Sequence, residues 1–175
     1  MTGLTIRVLS GDDLDGLAAA VRDLGGDKPR SQYERYLVEQ GGGRRTVLIA
    51  RLDDSIAGYV TVDRNSPYPP FRRDGIPEIQ DLNVLPRFRR HGIGTRLMDE
   101  AEATASRSSD IVVGIGVGLS ADYGSALRLY VLRGYVPDGR GLYSYGRAVP
   151  YGAAVELDDG LAIYMTRELR RAPPC

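Results

Sequence analysis

A mixed α/β domain is predicted by three features of the chain. Short β-branched runs alternate with amphipathic helical patterns along its whole length. The runs Thr46–Leu52 and Ile56–Asp63 are separated only by turn-forming residues, the composition of an antiparallel hairpin. Asp110–Gly118 is apolar without polar alternation, as a strand covered on both faces is, which places it in a parallel pair with the preceding helix as the crossover. With 175 residues and 42% apolar content there is enough chain for one packed core, so residues 1–175 are read as a single domain.

Leu4–Leu9 is a short strand. Asp12–Leu24 follows as a helix with an acidic first turn and Leu14, Leu17, Val21 and Leu24 at helical spacing. Ser31 is positioned to cap a second helix over Gln32–Gln40. In the hairpin, Asp53, Asp54 and Ser55 form the tight turn. Asn65–Pro77 is crowded with Pro and Gly and reads as an irregular surface loop, the lip of a site, ahead of a strand over Glu78–Leu85. Ile93–Ser106 places Ile93, Leu97, Met98, Ala101 and Ala105 on one stripe, with Arg96, Asp99, Glu100 and Glu102 elsewhere. Tyr123–Arg133 is a further helix with Ala126, Leu127, Tyr130 and Val131 on one side, and Gly134 stops it. A strand begins at Tyr135, Pro137–Gly160 has no clear period, and Leu161–Arg167 closes the fold as an edge strand through which a homodimer can form.

Lys plus Arg and Asp plus Glu both number 23, so no global field recruits nucleic acid or an anionic membrane. The only cysteine is Cys175, the first residues lack a signal-peptide pattern, and no apolar run approaches the roughly 20 residues that span a bilayer. The expectation is a cytoplasmic protein with no membrane partner. His91 is the lone histidine and stands in no metal-ligand spacing, so no metal is expected.

The chemistry starts at Asp81–Glu102, where an apolar strand gives way to a cationic turn with two glycines and then at once to a helix. The unpaired N–H groups of that helix's first turn face the crevice at the strand's carboxyl end, and the helix dipole adds roughly half a positive charge there. Gly92 and Gly94 let an anion approach the backbone, and Arg87, Arg89 and Arg90 add full charges. Glycines at such a turn also serve tight packing. A Walker loop needs Lys and then Ser or Thr after its last glycine, and the dinucleotide fingerprint needs a third glycine where Leu97 stands; both fail.

The remaining pattern, Arg-x-x-Gly-x-Gly behind Asp81–Pro86, resembles the GCN5-related N-acetyltransferases (GNAT), an acetyl-CoA-dependent family. The resemblance runs from about Leu4 to Leu169 and includes a second signature, Ser125–Gly139, with its Ala-x-x-Leu-Tyr helix ending in Gly and an aromatic residue. It implies the GNAT fold, acetyl-CoA as cofactor, and an acyl transfer to an amine. Backbone of Leu82, Asn83 and Val84 would pair with the pantetheine arm. The amides from Arg89 or Arg90 through His91, Gly92, Ile93, Gly94 and Thr95 would hold the pyrophosphate.

An attacking amine must be neutral, and a free ammonium with a pKa near ~10.4 needs a base at pH 7. Glu78 matches the family's general-base glutamate, with Asp81 as the reserve if a bulge turns it to the same face. The alternative for Glu78 is a solvated carboxylate at a strand's start. A phenol of pKa near ~10 can protonate a departing thiolate whose acid is near ~8.5, and Tyr130 matches the family's general-acid tyrosine; otherwise it is a core aromatic. The Val84 N–H is the implied oxyanion donor. Where the family often has a cofactor-contacting Asn this chain has Tyr123, so that contact passes to Tyr123 or Ser125 or is lost. Gly114, Gly116 and Gly118 leave one strand face bare for the cofactor, the acceptor or a neighbouring helix, with helix packing expected for at least one. His91 is either a solvated loop residue or a phosphate contact.

For the acceptor, three classes stand in order: a small-molecule primary amine, a protein lysine or N-terminus, and no acceptor at all, the chain then being an acyl-CoA-binding sensor. Helices one and two, the segment Asn65–Pro77 and the segment Pro137–Gly160, with Tyr143, Tyr145 and Tyr151, would wall the acceptor site. Asp158 and Asp159 either attract a cationic amine or lie in a solvated turn.

Overall fold

A computed structural model describes residues 3–22, 28–106 and 112–169. They gather into two compact units, each made of two stretches of chain: Met1–Asp63 with Ile79–Ala105, and Arg64–Glu78 with Ser106–Cys175.

The first unit carries β1 (Leu4–Val8), α1 (Leu14–Val21), α2 (Arg30–Gly41), β2 (Arg45–Leu52), β3 (Ser55–Asp63), most of β4 (Glu78–Val84) and α4 (Ile93–Ser106). Its strands lie in the order β1-β2-β3-β4. β1 and β2 run antiparallel from Leu4 opposite Leu52, and β2 and β3 form the expected hairpin, with Asp53 at a φ of 52° in the turn. Leu14, Leu17 and Val21 of α1 bury with Tyr33 and Tyr36 of α2 against Val47, Ile49 and Tyr59. Each such side chain taken wholly out of water contributes roughly 1.5–3 kcal/mol. Leu24, the last residue of the predicted stripe, lies outside the described residues.

Three expectations in this unit need correction. Ser31 does not cap α2: Pro29, extended at ψ 154°, takes that place, and its carbonyl receives the Gln32 N–H at 2.9 Å. A proline already fixed near φ −65° makes a helix start without a side-chain cap. In α4 the predicted apolar stripe is buried, but Glu102 is buried beside it, since an i+4 step from Met98 brings it to the flank of the same face. The first helix begins with a 3-10 turn, Gly11–Asp13, closed by a capping box between Ser10 and Asp13.

The second unit carries α3 (Pro69–Asp74), β5 (Val112–Gly118), α5 (Gly124–Leu132), β6 (Val136–Ser144), β7 (Arg147–Ala148) and β8 (Leu161–Glu168), with the strands in the order β5-β8-β6-β7. Gly134 ends α5 at a φ of 88°, as predicted. Asp110 and Ile111 of the predicted fifth strand lie outside the described residues. Four corrections belong here. Asn65–Pro77 is not wholly irregular: Pro69 and Pro70 occupy the first helical positions of α3, where no N–H is needed, and Gly75 closes it at a φ of 66°. Phe71 anchors that short helix, being 1% exposed. Val131 is exposed, because α5 buries only Tyr130 fully. The segment from Pro137 holds most of β6, whose periodicity is hidden by Gly139 and Gly141 at positive φ, where the register with β8 shifts. β8 is not an edge: it pairs with β5 and with β6, so the edge strand of this unit is β7.

No helix among the described residues is long and apolar enough to cross a membrane. Among them, no group of three or more His, Cys, Asp or Glu side chains is placed to hold a metal ion.

Candidate active site

The anion turn is built in the first unit. After β4, Leu85 enters a 3-10 turn over Pro86–Phe88, Arg89 is extended, and Arg90 and Gly92 adopt positive φ values of 63° and 72° around His91. The turn delivers the chain into α4, whose first backbone bond runs from the Arg96 N–H to the Gly92 carbonyl at 3.1 Å. The N–H groups of Ile93, Gly94 and Thr95 therefore have no partner within the helix. A Cβ at Gly92 would meet nothing within 4 Å, and one at Gly94 would touch only Val84 Cγ2 at 3.6 Å. This is an open cradle with free amides, and it fits a phosphate-bearing group. His91 braces it by donating Nδ1–H to the Arg89 carbonyl at 2.7 Å, while Arg89 Nε donates to the Val84 carbonyl at 3.0 Å.

β4 enters this turn with one irregular residue. Asp81 has a φ of 53°, a left-handed residue inside the strand, and Asn83 Nδ2 donates to the Asp81 carbonyl at 3.0 Å. Beyond Asp81, the Leu85 N–H donates to the Ala57 carbonyl of β3 at 2.9 Å. Backbone groups of successive strand residues point to opposite edges, so the N–H of Val84 points away from β3. The chain comes close to β3 elsewhere: a Cβ at Gly58 would stand 2.3 Å from the Asn83 carbonyl oxygen.

The Asp81 carboxylate is fully engaged. Tyr36 donates its hydroxyl to Oδ2 at 2.5 Å, and Lys28 Nζ donates to Oδ1 at 2.8 Å and to the Tyr59 hydroxyl at 3.0 Å. Burial and then the nearby Asp81 charge push the Tyr36 and Tyr59 phenols above their ordinary range. One strand residue away, Gln80 accepts from Arg45, whose guanidinium also holds Asp63 at 2.6 Å, Glu39 at 2.6 Å and Thr61 at 2.7 Å.

Glu78 belongs to the second unit. It is 4% exposed, not a solvated strand-start carboxylate. The Ser66 hydroxyl donates to its Oε2, and Ser66 Oγ in turn accepts the Tyr68 N–H at 2.9 Å. Its Oε1 looks across the bare β5 face, 3.4 Å from where a Cβ on Gly116 would be. The three β5 glycines are explained by aromatic neighbours. An added Cβ would come within 2.1 Å of the Phe71 ring at Gly114, 2.9 Å of Tyr164 at Gly116 and 2.5 Å of Tyr123 at Gly118. Phe71 lies on α3, so helix packing accounts for Gly114. Tyr164 stacks on Tyr68 at 3.6 Å between ring centroids, with Phe71 and Tyr143 edge-on to both rings.

Tyr130 is 5% exposed, its ring tilted against Tyr135 at 6.0 Å. Burial, and secondarily the Tyr123 phenol, hold its hydroxyl protonated above the usual tyrosine range. Tyr123 precedes α5 and donates to Asp159 Oδ1 at 2.9 Å, whereas Ser125 is exposed. Asp158 accepts from the Tyr145 hydroxyl at 2.7 Å and the Gly160 N–H at 2.9 Å, so both acidic residues are engaged by neighbours. Tyr151 is fully exposed.

Within the first unit, Val84 thus meets Arg89 and Gly94; within the second, Glu78 meets β5, and Tyr123 lies close enough to influence Tyr130. Sequence reasoning missed Ser66, Gly58 and the Lys28–Tyr36–Tyr59 cluster around Asp81. Only Lys28 carried a signal, being the chain's single lysine. An open depression of about 410 Å³ is lined by Gly16, Arg51 and Ile56 among others, and Arg87 is the only residue of the anion turn that reaches it.

The acetyltransferase (GNAT) family model matches residues 17–135. An uncharacterized N-acetyltransferase of Archaeoglobus fulgidus is 38% identical over 72 residues, which are 41% of this chain and 48% of the relative, so the match spans about half the length of that curated protein. Among solved structures, yncA of Salmonella typhimurium, with its cofactor acetyl-CoA, is 17% identical at a TM-score of 0.68, covering 99% of this chain and 98% of that one. The ribosomal-protein-alanine N-acetyltransferase of Brucella melitensis is 20% identical at a TM-score of 0.69, covering 94% of this chain and 99% of that one. These likenesses show the fold that the sequence predicts, α/β with a mixed sheet flanked by helices.

Proposed function

The chain belongs to the GNAT acetyltransferase family, and from that premise we propose that it is an acetyl-CoA-dependent N-acetyltransferase acting on the primary amine of a small molecule by direct attack. The observation that carries the reading is the turn Arg89–Thr95, with two consecutive-but-one residues at positive φ and three helix-start amides without an intrahelical partner.

Acetyl-CoA supplies an acetyl group activated as a thioester; the rest is the work of this chain's residues. The Ile93, Gly94 and Thr95 amides hold the pyrophosphate, helped by Arg89, Arg90 and His91, and the outward edge of Leu82–Val84 orients the pantetheine arm. The Val84 N–H stabilises negative charge developing on the carbonyl oxygen. Glu78 accepts the proton of the attacking amine, its carboxylate held by the Ser66 hydroxyl at Oε2. Tyr130 Oη delivers a proton to the departing sulfur, being held neutral by its burial. Tyr123 and Ser125, at the start of α5, supply further cofactor contacts.

The test is continuous thiol release from acetyl-CoA near pH 8 against polyamines, aminoglycosides, amino acids and lysine peptides. Acceleration by a small amine is the expected outcome. Acceleration by peptides alone would move the acceptor to the protein class that the Brucella enzyme's name states for that protein. Acetyl-CoA binding with no acceleration by any amine would make the chain a sensor.

A further inference from the structure

We propose that Lys28 is a self-acetylation site, its Nζ taking an acetyl group from acetyl-CoA bound to the same chain. The inference rests on the acetyl-CoA reading above and adds to it a nucleophile within the chain. Lys28 is the only lysine; every other cation among the 23 Lys and Arg residues is an arginine. Arginine also serves the buried carboxylates elsewhere, with Arg7 on Asp13 and Arg45 on Asp63. A guanidinium makes the better two-pronged bridge to a carboxylate, so an ion pair alone does not call for lysine at Asp81. What lysine adds is a nitrogen that can lose a proton and attack a carbonyl, which a guanidinium in a protein cannot.

The place fits that chemistry. Lys28 Nζ is fixed by Asp81 Oδ1 and the Tyr59 hydroxyl, 5.6 Å from the Tyr59 ring centroid, with the side chain 26% exposed. Asp81 directly precedes Leu82–Val84, the stretch assigned to the pantetheine arm, and its φ of 53° breaks the regular strand backbone there. Tyr36 occupies Oδ2, leaving Oδ1 as the oxygen that faces the amine. In the step, the ammonium gives one proton to Asp81 and then the free amine attacks. The Nζ–carbonyl carbon bond forms and the carbon–sulfur bond breaks. CoA leaves as its thiolate, which is protonated, and one proton is released overall. The product is a neutral amide that no longer forms an ion pair with Asp81.

The experiment incubates the protein with deuterated acetyl-CoA near pH 8 and follows the label by peptide mass mapping, with acetyl-CoA binding measured calorimetrically on the same samples. Lys28 is expected to be labelled at least about 10-fold faster in the native protein than in the guanidinium-unfolded chain, as a positioned amine should be. The first-order rate is expected to be independent of protein concentration. Lys28→Arg, which keeps the bridge to Asp81, is expected to bind acetyl-CoA normally and acquire no internal lysine label. Equal rates in native and unfolded chains would overturn the proposal, and so would a rate proportional to protein concentration, which marks one copy acting on another. Binding without accelerated labelling would overturn this inference and leave the acetyl-CoA reading standing; absence of binding would overturn both.

Discussion

Glu78 and Tyr130 are both buried, and the opposite tasks proposed for them, base and acid, can be argued from their surroundings. Glu78 accepts the Ser66 hydroxyl at Oε2 and turns Oε1 toward Gly116 of β5. Tyr130 has its hydroxyl held above the ordinary phenol range, so it stays protonated well past neutrality. Tyr130→Phe and Glu78→Gln are each expected to lower kcat by roughly 10²–10⁴-fold while leaving the acetyl-CoA Kd within about 2-fold, because both are proposed to move protons and not to hold the cofactor. Steady-state kinetics paired with calorimetry checks this, and equal losses of binding would reassign both residues to structure. The same placement fixes the sign of the pH dependence. With the folded phenol's affinity for its proton raised, the acid remains loaded through the alkaline range, so kcat against the responsive amine is expected to show no descending limb from Tyr130 below about pH 10. A limb near pH 8 that vanishes in Tyr130→Phe would contradict the assignment.

At the level of elements, the glycines separate into those that shape a turn and those that make room. Gly92 is of the first kind: its φ is 72° and an added Cβ meets nothing within 4 Å. Gly92→Ala is therefore expected to cost only the left-handed strain, about 1–2 kcal/mol in denaturant unfolding. Gly58 is of the second kind. A Cβ there falls on the Asn83 carbonyl, a backbone atom that cannot swing aside, so Gly58→Ala is expected to separate β3 from β4 and cost at least as much as severe overpacking, upward of about 2 kcal/mol. It should also weaken acetyl-CoA binding, since Leu82–Val84 would shift; an unchanged Kd in a folded Gly58→Ala protein would show that this stretch does not hold the cofactor. The contrast also marks what was legible. Gly92 stands in a strand-to-helix turn that local spacing reveals, and the apolar stripe of α4 was readable from its spacing, though not the burial of Glu102 at its flank. Gly58 sits in an ordinary β-branched strand, and only the neighbour across the sheet, distant in sequence, makes its missing side chain matter. Ser66 escaped for the same reason: its partner Glu78 lies on another element. α3 was hidden because Pro and Gly signal irregularity in general, while here each stands at the one helical position that suits it.

For the molecule as a whole, balanced formal charge removes long-range steering, and electrostatics acts through a few enclosed pairs. These were beyond sequence reading: nothing in the letters joins Arg45 to Asp63, or Lys28 to Asp81, because strand order creates those neighbours. The fold class needed only periodicity, whereas β8 lying between β5 and β6 needed the long-range order. The pair of exposed Arg7 with buried Asp13 allows a signed prediction. The Arg7 guanidinium donates to both Asp13 oxygens at 2.7 and 2.6 Å, and the Ser10 N–H and hydroxyl donate at 3.0 and 2.8 Å. Hydrogen bonding from Arg7 first, opposed by burial and aided by Ser10, holds the carboxyl well below its ordinary range. A group whose folded pKa lies below its unfolded value near ~3.9 adds stability that is complete above the unfolded value and disappears as pH falls through the folded one. The melting midpoint is therefore expected to be flat in this contribution above about pH 5 and to decline below about pH 4. Asp13→Asn is expected to be less stable than wild type at pH 7, with the difference narrowing as pH falls toward 2. Thermal unfolding of both chains across that range reads the contribution directly, and a constant difference would mean that Asp13 acts through packing alone.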